Sequence, residues 1–75
     1  MVLSPPKITL EAARTNAGLT INEAAKKLGV SRSTIINWEN DSSNIKVSYL
    51  PIIEKAYGYP TDFIFFGNKL EFKSS

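Results

Sequence analysis

The sequence predicts an all-α fold, a compact domain of five short helices in a chain of 75 residues. Between Ile21 and Leu28 the apolar residues recur at i, i+3, i+4 and i+7, which is the spacing of one buried helix face. Residues that cap helix starts precede the apolar segments, and glycine follows four of the five. These signals place the helices within residues 9–67, after an extended N-terminal arm (residues 1–8) and before a short C-terminal tail (residues 68–75).

The first helix is predicted from about Leu10 to Asn16. Pro5 and Pro6 keep the preceding arm extended, because the proline ring fixes φ and removes the backbone N–H. The Thr9 hydroxyl can accept a hydrogen bond from a free N–H of the first turn. Gly18 follows the helix and can end it in a left-handed conformation.

The second helix is predicted to begin near Thr20. Thr20 and Glu23, three residues later, have the spacing of a capping box, in which each side chain accepts a hydrogen bond from the other residue's backbone N–H. Gly29 follows the last apolar residue, Leu28, and glycine enters the left-handed region without a side-chain clash. The helix is therefore expected to end at Leu28.

A third helix is predicted directly after this turn. Ser31 is a favourable N-cap residue, and Ile35 and Trp38 are spaced to face inward. Two short helices joined by a sharp glycine turn over residues 20–40 form a helix-turn-helix, and such a unit lays its second helix, here residues 31–40, in the major groove of DNA. The segment therefore favours a protein that reads a DNA sequence.

A fourth helix is predicted after a turn over Asp41–Asn44, a run of turn-forming residues. Ser48 can cap this helix, which would extend through Tyr57. Pro51 is compatible with it, because N–H groups of the first turn have no partner inside a helix.

A short fifth helix is expected to start at Pro60–Asp62, to carry the aromatic run Phe63–Phe66 and to end at Gly67. In the tail, Lys69–Lys73 alternates polar and apolar residues, as a β-strand does, so it either frays or pairs with its own copy across a dimer. The aromatic residues of this half are more than a small core can hide. They favour a homodimer through helix 5 and the C-terminal tail, and the alternative is that all of them pack under helices 4 and 5 as the core of a monomer.

From Gly18 to Glu39 the chain resembles the lambda-repressor-like family of helix-turn-helix proteins, also called Cro/cI-type or XRE-like. The order of small, turn and core residues carries this resemblance: Ala25, Gly29, Val30, Ile35 and Trp38. The resemblance covers roughly Leu10 to Phe66. Many members are phage repressors and small bacterial regulators. It implies a sequence-specific transcription regulator that binds a double-stranded DNA operator in the cytoplasm of a bacterium or a phage-infected host.

The resemblance implies that base-reading residues lie on the outer face of helix 3, here Arg32, Ser33, Ile36 and Asn37. Arg32 can form a bidentate contact with guanine, Asn37 can pair with adenine, and Ile36 can touch a thymine methyl group. Contacts to the DNA backbone are expected from Ser31, Thr34, Asn40, Ser42, Asn44 and Lys46. The alternative for each polar side chain is a solvated surface, and for Lys46 it is solubility alone.

Arg14 and Glu39 occupy positions where members of this family often carry an ion pair between helix 1 and the end of helix 3. We interpret the pair as structural rather than catalytic, since it would orient the recognition helix. If Glu39 is paired in this way, the basic residues between Lys26 and Lys46 leave that half of the domain locally positive.

Two apolar residues depart from the family pattern. Many relatives carry glutamine at the position of Ile21, where it binds a phosphate, and Ile36 stands at a normally polar, outward position of the recognition helix. A partner protein could therefore be bound by a surface formed by Ile21, Arg32 and Ile36. The alternative function is a modulator or antirepressor that masks the DNA-reading surface of a partner repressor.

Composition argues against an enzyme. The chain has no cysteine and no histidine, which removes disulfides, thiol nucleophiles and the commonest general base, and its carboxylates are scattered. Neither a metal site nor a cofactor is expected. The net charge of +2 is too small to indicate DNA binding by itself. No segment approaches the length of a membrane span, and the N-terminus lacks the pattern of a signal peptide.

Overall fold

The computed structural model describes residues 7–67. Its four α-helices are α1 (Leu10–Asn16), α2 (Ile21–Leu28), α3 (Arg32–Asn40) and α4 (Leu50–Tyr57). Two short strands, β1 (Ile8–Thr9) and β2 (Ile64–Phe65), pair in parallel, with Ile8 opposite Ile64 and Thr9 opposite Phe65. Turns of 3₁₀-helix cover Ser42–Asn44, Val47–Tyr49 and Thr61–Phe63. The described part of the chain is therefore mainly helical, with a minor two-stranded sheet.

The predicted starts of the first three helices are confirmed by their caps. The Thr9 hydroxyl accepts a hydrogen bond from the N–H of Ala12 at 3.1 Å. At the start of α2, the Thr20 N–H donates to Glu23 Oε1 at 2.8 Å, and the Glu23 N–H donates to Thr20 Oγ1 at 3.1 Å, which completes the capping box. Each of these helices thus begins where its local sequence specifies.

The core lies where α1, α2, α3 and α4 meet. Its buried apolar residues are Leu10, Ala13, Ala24, Ala25, Leu28, Ile35, Ile53, Tyr57 and Ile64. Ile35 of α3 and Ile53 of α4 are fully buried, and burying an isoleucine side chain contributes about 1.5–3 kcal/mol. Ala24 has no exposed surface, so its small side chain lets α2 pack closely against its neighbours. Ile35, the buried residue on the inner face of α3, therefore anchors this helix in the core.

The fourth helix begins one residue later than a Ser48 cap predicts. Ser48 lies in the 3₁₀ turn, α4 starts at Leu50, and Tyr49 precedes it without a side-chain cap. A capping hydroxyl bonds the N–H two or three residues ahead, and one of those two positions after Ser48 is Pro51, which has no N–H. The prediction of a Ser48 cap is therefore wrong. The predicted end is confirmed, because Gly58 adopts φ 64° after Tyr57.

The predicted fifth helix does not form. Thr61–Phe63 makes one 3₁₀ turn, and Ile64 then becomes extended, with φ −106° and ψ 130°. The run that follows is aromatic and β-branched, a composition that favours a strand when a partner strand is available. That partner is β1, so this segment pairs with the N-terminal end of the domain and does not continue as a helix.

The aromatic residues of the C-terminal half are more enclosed than their number suggested. Tyr57 is buried, and Tyr59, Phe63, Phe65 and Phe66 are all half-buried. Because the predicted fifth helix does not form, an interface in this region would be formed by the 3₁₀ turn Thr61–Phe63 and by β2. The predicted strand at Lys69–Lys73, and Phe72 within it, lie outside the described residues.

Candidate nucleic-acid interface

The recognition helix α3 is amphipathic, with its inner face fixed in the core. Ile35 has no exposed surface, and the half-buried Trp38 packs edge-to-face against Tyr49, with ring centroids 5.1 Å apart and the ring planes at 64°. Arg32, Ser33 and Asn37 lie on exposed positions of the same helix. The fold therefore holds α3 from one side and presents its polar side chains on the other.

The turn between α2 and α3 sets the position of this helix. Gly29 adopts φ 70° and ψ 33°, a left-handed conformation that is strained for residues with a side chain. The Val30 N–H then donates to the carbonyl oxygen of Ala25 at 3.0 Å, which ends α2 and redirects the chain. α3 starts two residues later, so the two helices are joined by a short, hydrogen-bonded connection.

The N-terminus of α3 combines a cap with free polar side chains. Ser31 Oγ accepts a hydrogen bond from the Thr34 N–H at 3.1 Å and lies 2.8 Å from Thr34 Oγ1. Within residues 7–67, the side chains of Arg32, Ser33 and Asn37 form no hydrogen bond or ion pair. These three side chains are therefore available to an external partner, whereas the hydroxyls of Ser31 and Thr34 are hydrogen-bonded to each other.

The residues predicted to contact the DNA backbone at the C-terminal end of α3 and in the loop after it are Asn40, Ser42, Asn44 and Lys46. Asn40, Asn44 and Lys46 are exposed, and Ser42 is the exception, at 3 % exposure. Its Oγ accepts a hydrogen bond from the Gly67 N–H at 2.9 Å and lies 3.3 Å from the carbonyl oxygen of Phe65. The Ser42 N–H also donates to the carbonyl oxygen of Gly67 at 3.1 Å, so Ser42 fastens the loop to the segment after β2 and is less accessible to a phosphate than its neighbours.

One negative charge is fixed in this loop. Asp41 Oδ1 accepts hydrogen bonds from the Ser43 hydroxyl at 2.6 Å and from the Ser43 N–H at 3.0 Å. These bonds stabilise the carboxylate and lower the pKa of Asp41, with the hydroxyl contributing most. Asp41 therefore stabilises the turn that precedes Asn44 and Lys46, and its Oδ1 is directed toward Ser43 of the same turn.

Arg14 and Glu39 form an ion pair between α1 and α3. Arg14 Nε donates to Glu39 Oε2 at 2.5 Å, Nη2 donates to Oε1 at 3.3 Å, and both side chains are 9 % exposed. The hydrogen bond to Glu39 raises the pKa of Arg14 above its ordinary value. Because the charge of Glu39 is balanced inside the fold, it does not reduce the positive charge near Arg32 and Lys46.

At the start of α2, the capping box occupies two backbone donors and leaves others free. Hydrogen bonds from the backbone and side chain of Thr20 lower the pKa of Glu23, so this carboxylate stays charged in its cap. The N–H groups of Ile21 and Asn22 come next and have no intrahelical acceptor, as in any helix start. They are the donors of α2 that a phosphate could reach.

The two apolar residues that departed from the family pattern are only partly exposed. Ile21 is half-buried and packs against the core, and Ile36 is half-buried on α3. The large apolar residues most exposed within residues 7–67 are Val47 at 78 % and Ile52 at 43 %. Sequence reasoning missed Ile52, although Ile53 and Tyr57 at i and i+4 mark the inner face of α4 and leave Ile52 outside it.

The described part of the chain offers neither a membrane span nor a metal centre. Its longest helix has nine residues, far fewer than a transmembrane helix requires. Across residues 7–67, no three side chains of the His, Cys, Asp and Glu types come together as potential metal ligands.

Comparison with known proteins agrees with this geometry. A family model described as helix-turn-helix matches residues 10–64, which is more than half of the chain and runs from the first residue of α1 to the first residue of β2. No curated protein matches the chain.

Proposed function

Because the chain belongs to the lambda-repressor-like, Cro/cI-type family of helix-turn-helix proteins, which are DNA-binding transcription regulators, we propose that it is a repressor that reads one operator sequence with α3. One observation carries the proposal. Arg32, Ser33 and Asn37 are exposed together on the helix whose opposite face holds Ile35 in the core, and their side chains have no partner within residues 7–67. Members of this family generally act by binding and not by catalysis.

Four residues would read bases. Arg32 would donate to O6 and N7 of a guanine, and Asn37 would pair with N6 and N7 of an adenine about one and a half turns later. Each pair would contribute about 1–3 kcal/mol of discrimination against the wrong base. Ile36 would touch a thymine methyl group with the exposed part of its side chain. Ser33, which is free of internal bonds, would make a direct or water-mediated contact.

The backbone of the duplex would be held on both sides of α3. The Ser31 and Thr34 hydroxyls are hydrogen-bonded to each other, and the one that does not donate in this bond would donate its proton to a phosphate. Asn40, Asn44 and Lys46 would contact the backbone beyond the C-terminus of the helix. These contacts would set the register of the protein on DNA without reading sequence. The protein would act in the cytoplasm, where bacterial or phage DNA lies.

A two-fold dimer would place two copies of α3 in successive major grooves. The distance between half-sites would then be about 34–36 Å, one turn of DNA. The half-buried side chains of Phe63, Phe65 and Phe66 support an interface at the 3₁₀ turn and β2, together with the C-terminal tail. An operator with pseudo-palindromic half-sites is the expected consequence.

A second candidate function is that of an antirepressor, which would bind a partner repressor and mask its reading surface. It is favoured by the partly exposed Ile36 in the middle of an otherwise polar helix face. Ile36→Glu separates the two functions. A DNA reader loses affinity for its operator through phosphate repulsion, whereas an antirepressor loses its protein partner.

The test is a selection of tight-binding duplexes from a random DNA pool, performed with the wild type and with Arg32→Ala and Asn37→Ala. The wild type should enrich one motif, and each variant should lose discrimination at one base position by about 5- to 150-fold, the equivalent of 1–3 kcal/mol. Asn16→Ala, at an exposed position on α1, is the matched control and should select the wild-type motif. If the wild type enriches no motif, the proposal fails.

A further inference from the structure

An open groove lies on a part of the surface that the proposed DNA interface does not use. It has a volume of about 530 Å³ and is lined by Lys27 of α2 and by Pro51, Ile52, Lys55 and Ala56 of α4. None of these residues belongs to α3 or to the loop that follows it. The groove is open to solvent, which suits an extended segment lying along it better than a small molecule, because small-molecule sites enclose most of the ligand surface.

The floor of the groove is apolar and exposed. Ile52 is 43 % exposed, although the next residue, Ile53, is fully buried in the core. Pro51 and Ala56 continue this apolar surface on the same helix. An exposed apolar surface bordered by charged side chains is the usual composition of a protein-binding site.

The lining of the groove contains two positively charged side chains and no carboxylate. Lys27 and Lys55 border it from different helices, and neither forms an ion pair within residues 7–67. The acidic residues of the same helices have hydrogen bonds of their own: Glu23 accepts from the Thr20 N–H, and Glu54 Oε1 accepts from Thr61 Oγ1 at 3.4 Å. The charge of Lys27 helps to lower the pKa of Glu23, so that carboxylate is near it, but the charged side chains that line the groove are both lysines.

We propose that this groove binds an acidic amphipathic segment of another protein, with an apolar side chain on Ile52 and carboxylates near Lys27 and Lys55. Opposite charge on the two surfaces would give the contact its specificity, and the apolar anchor would supply most of its affinity. A second copy of the chain fits less well, because a two-fold interface would bring together two copies of the same positively charged patch. DNA fits less well too, since its phosphates would leave Ile52 in water.

The test is a selection from a displayed library of random peptides of roughly 12 residues on the full chain, without DNA. The wild type should enrich peptides that combine a net negative charge with a large apolar residue. Synthetic copies should bind Lys27→Glu and Ile52→Ser at least about tenfold more weakly than the wild type. Lys26→Glu is the matched control: it changes the charge of the neighbouring α2 residue, which does not line the groove, and it should keep wild-type affinity.

Circular dichroism shows whether each variant folds. If Lys27→Glu or Lys26→Glu does not fold, Lys27→Gln or Lys26→Gln replaces it. Enrichment of neutral or basic peptides, no enrichment, or equal losses with Lys26→Glu and Lys27→Glu would each overturn the proposal. So would an Ile52-dependent dimer that excludes the peptides. Because the selection contains no DNA, its outcome is independent of whether α3 reads an operator.

Discussion

Arg14 and Glu39 join the first helix to the second half of the recognition helix through two hydrogen bonds between their side chains. The same guanidinium donates through Nη1 to the carbonyl oxygen of Leu19 at 2.8 Å, just before α2. One side chain therefore connects α1, the start of the helix-turn-helix and α3. The orientation of α3 depends on this connection as well as on the core beneath Ile35.

Replacing one partner of this ion pair should destabilise the fold more than replacing both partners. Glu39→Gln leaves Arg14 without a counter-charge in a site of 9 % exposure, and we expect a loss of about 3 kcal/mol in the free energy of unfolding. Arg14→Met should lose a similar amount. The double variant Arg14→Met/Glu39→Met should be more stable than the sum of the single losses predicts. Urea unfolding measures all three, and strictly additive losses would contradict a direct interaction.

The Ser31 side chain, which caps α3, should contribute to stability, whereas the nearby Ser33 side chain should not. Ser31→Ala removes the acceptor of the Thr34 N–H at the start of α3 and should lower the free energy of unfolding by about 1 kcal/mol. Ser33→Ala is the matched control, since the Ser33 hydroxyl is exposed and has no bond within residues 7–67; its change should stay below about 0.5 kcal/mol. Equal effects in thermal or urea unfolding would rule out the capping role.

Tyr57 should make the domain sensitive to alkaline pH. Its side chain is buried, its hydroxyl has no hydrogen-bond partner within residues 7–67, and burial raises the pKa of Tyr57 to about 12. The folded protein therefore keeps the phenol proton at a pH where the unfolded chain, with a phenol pKa near 10, releases it. Stability from this group is complete below about pH 10 and falls as the pH rises toward about 12.

Tyr57→Phe tests this assignment, because phenylalanine keeps the ring and removes the ionisable hydroxyl. The variant should be at least as stable as the wild type at neutral pH, since an unpartnered buried hydroxyl costs free energy. It should also lose less stability than the wild type above about pH 10. Urea unfolding at a series of pH values measures both effects. Parallel loss in the two proteins would show that Tyr57 does not keep its proton on folding.

Lys46 and Arg32 should affect DNA binding in different ways. Lys46→Gln should weaken binding to all duplexes alike and reduce the slope of log affinity against log salt concentration by about 1. Arg32→Ala should also change the preferred sequence, because guanidinium contacts to guanine discriminate between bases. Lys26→Gln, on the outer side of α2, is the control for loss of charge. An unchanged salt slope for Lys46→Gln would place this lysine away from the phosphates.

The first half of the fold could be predicted because its signals are local. The caps at Thr20 and Ser31 act on residues three positions ahead, and Gly29 needs only its own left-handed conformation to end α2. Each signal is complete within one turn of chain. The exposed face of α3 was expected from the family resemblance, together with the assignment of Ile35 to the core.

The features that escaped prediction depend on distant partners. The apolar run Phe63–Phe66 has no helical period, and a short apolar run does not distinguish a helix from a strand. It becomes a strand because Ile64 meets Ile8, and Ser42 is buried because it meets Gly67. The groove beside Ile52 also depends on how α4 lies against α2. None of these contacts has a signal in the nearby sequence.

The parallel pairing of β1 with β2 has a mechanical consequence. It closes the chain between Ile8 and Phe65 into a loop that contains all four α-helices of residues 7–67. Tension applied between Lys7 and Phe66 therefore reaches the strand pair before it reaches α1 or α4. Because the strands are parallel, that tension pulls along them in shear and loads their hydrogen bonds together. The hydrogen bonds of this short sheet must therefore break before a pulling force can separate the helices.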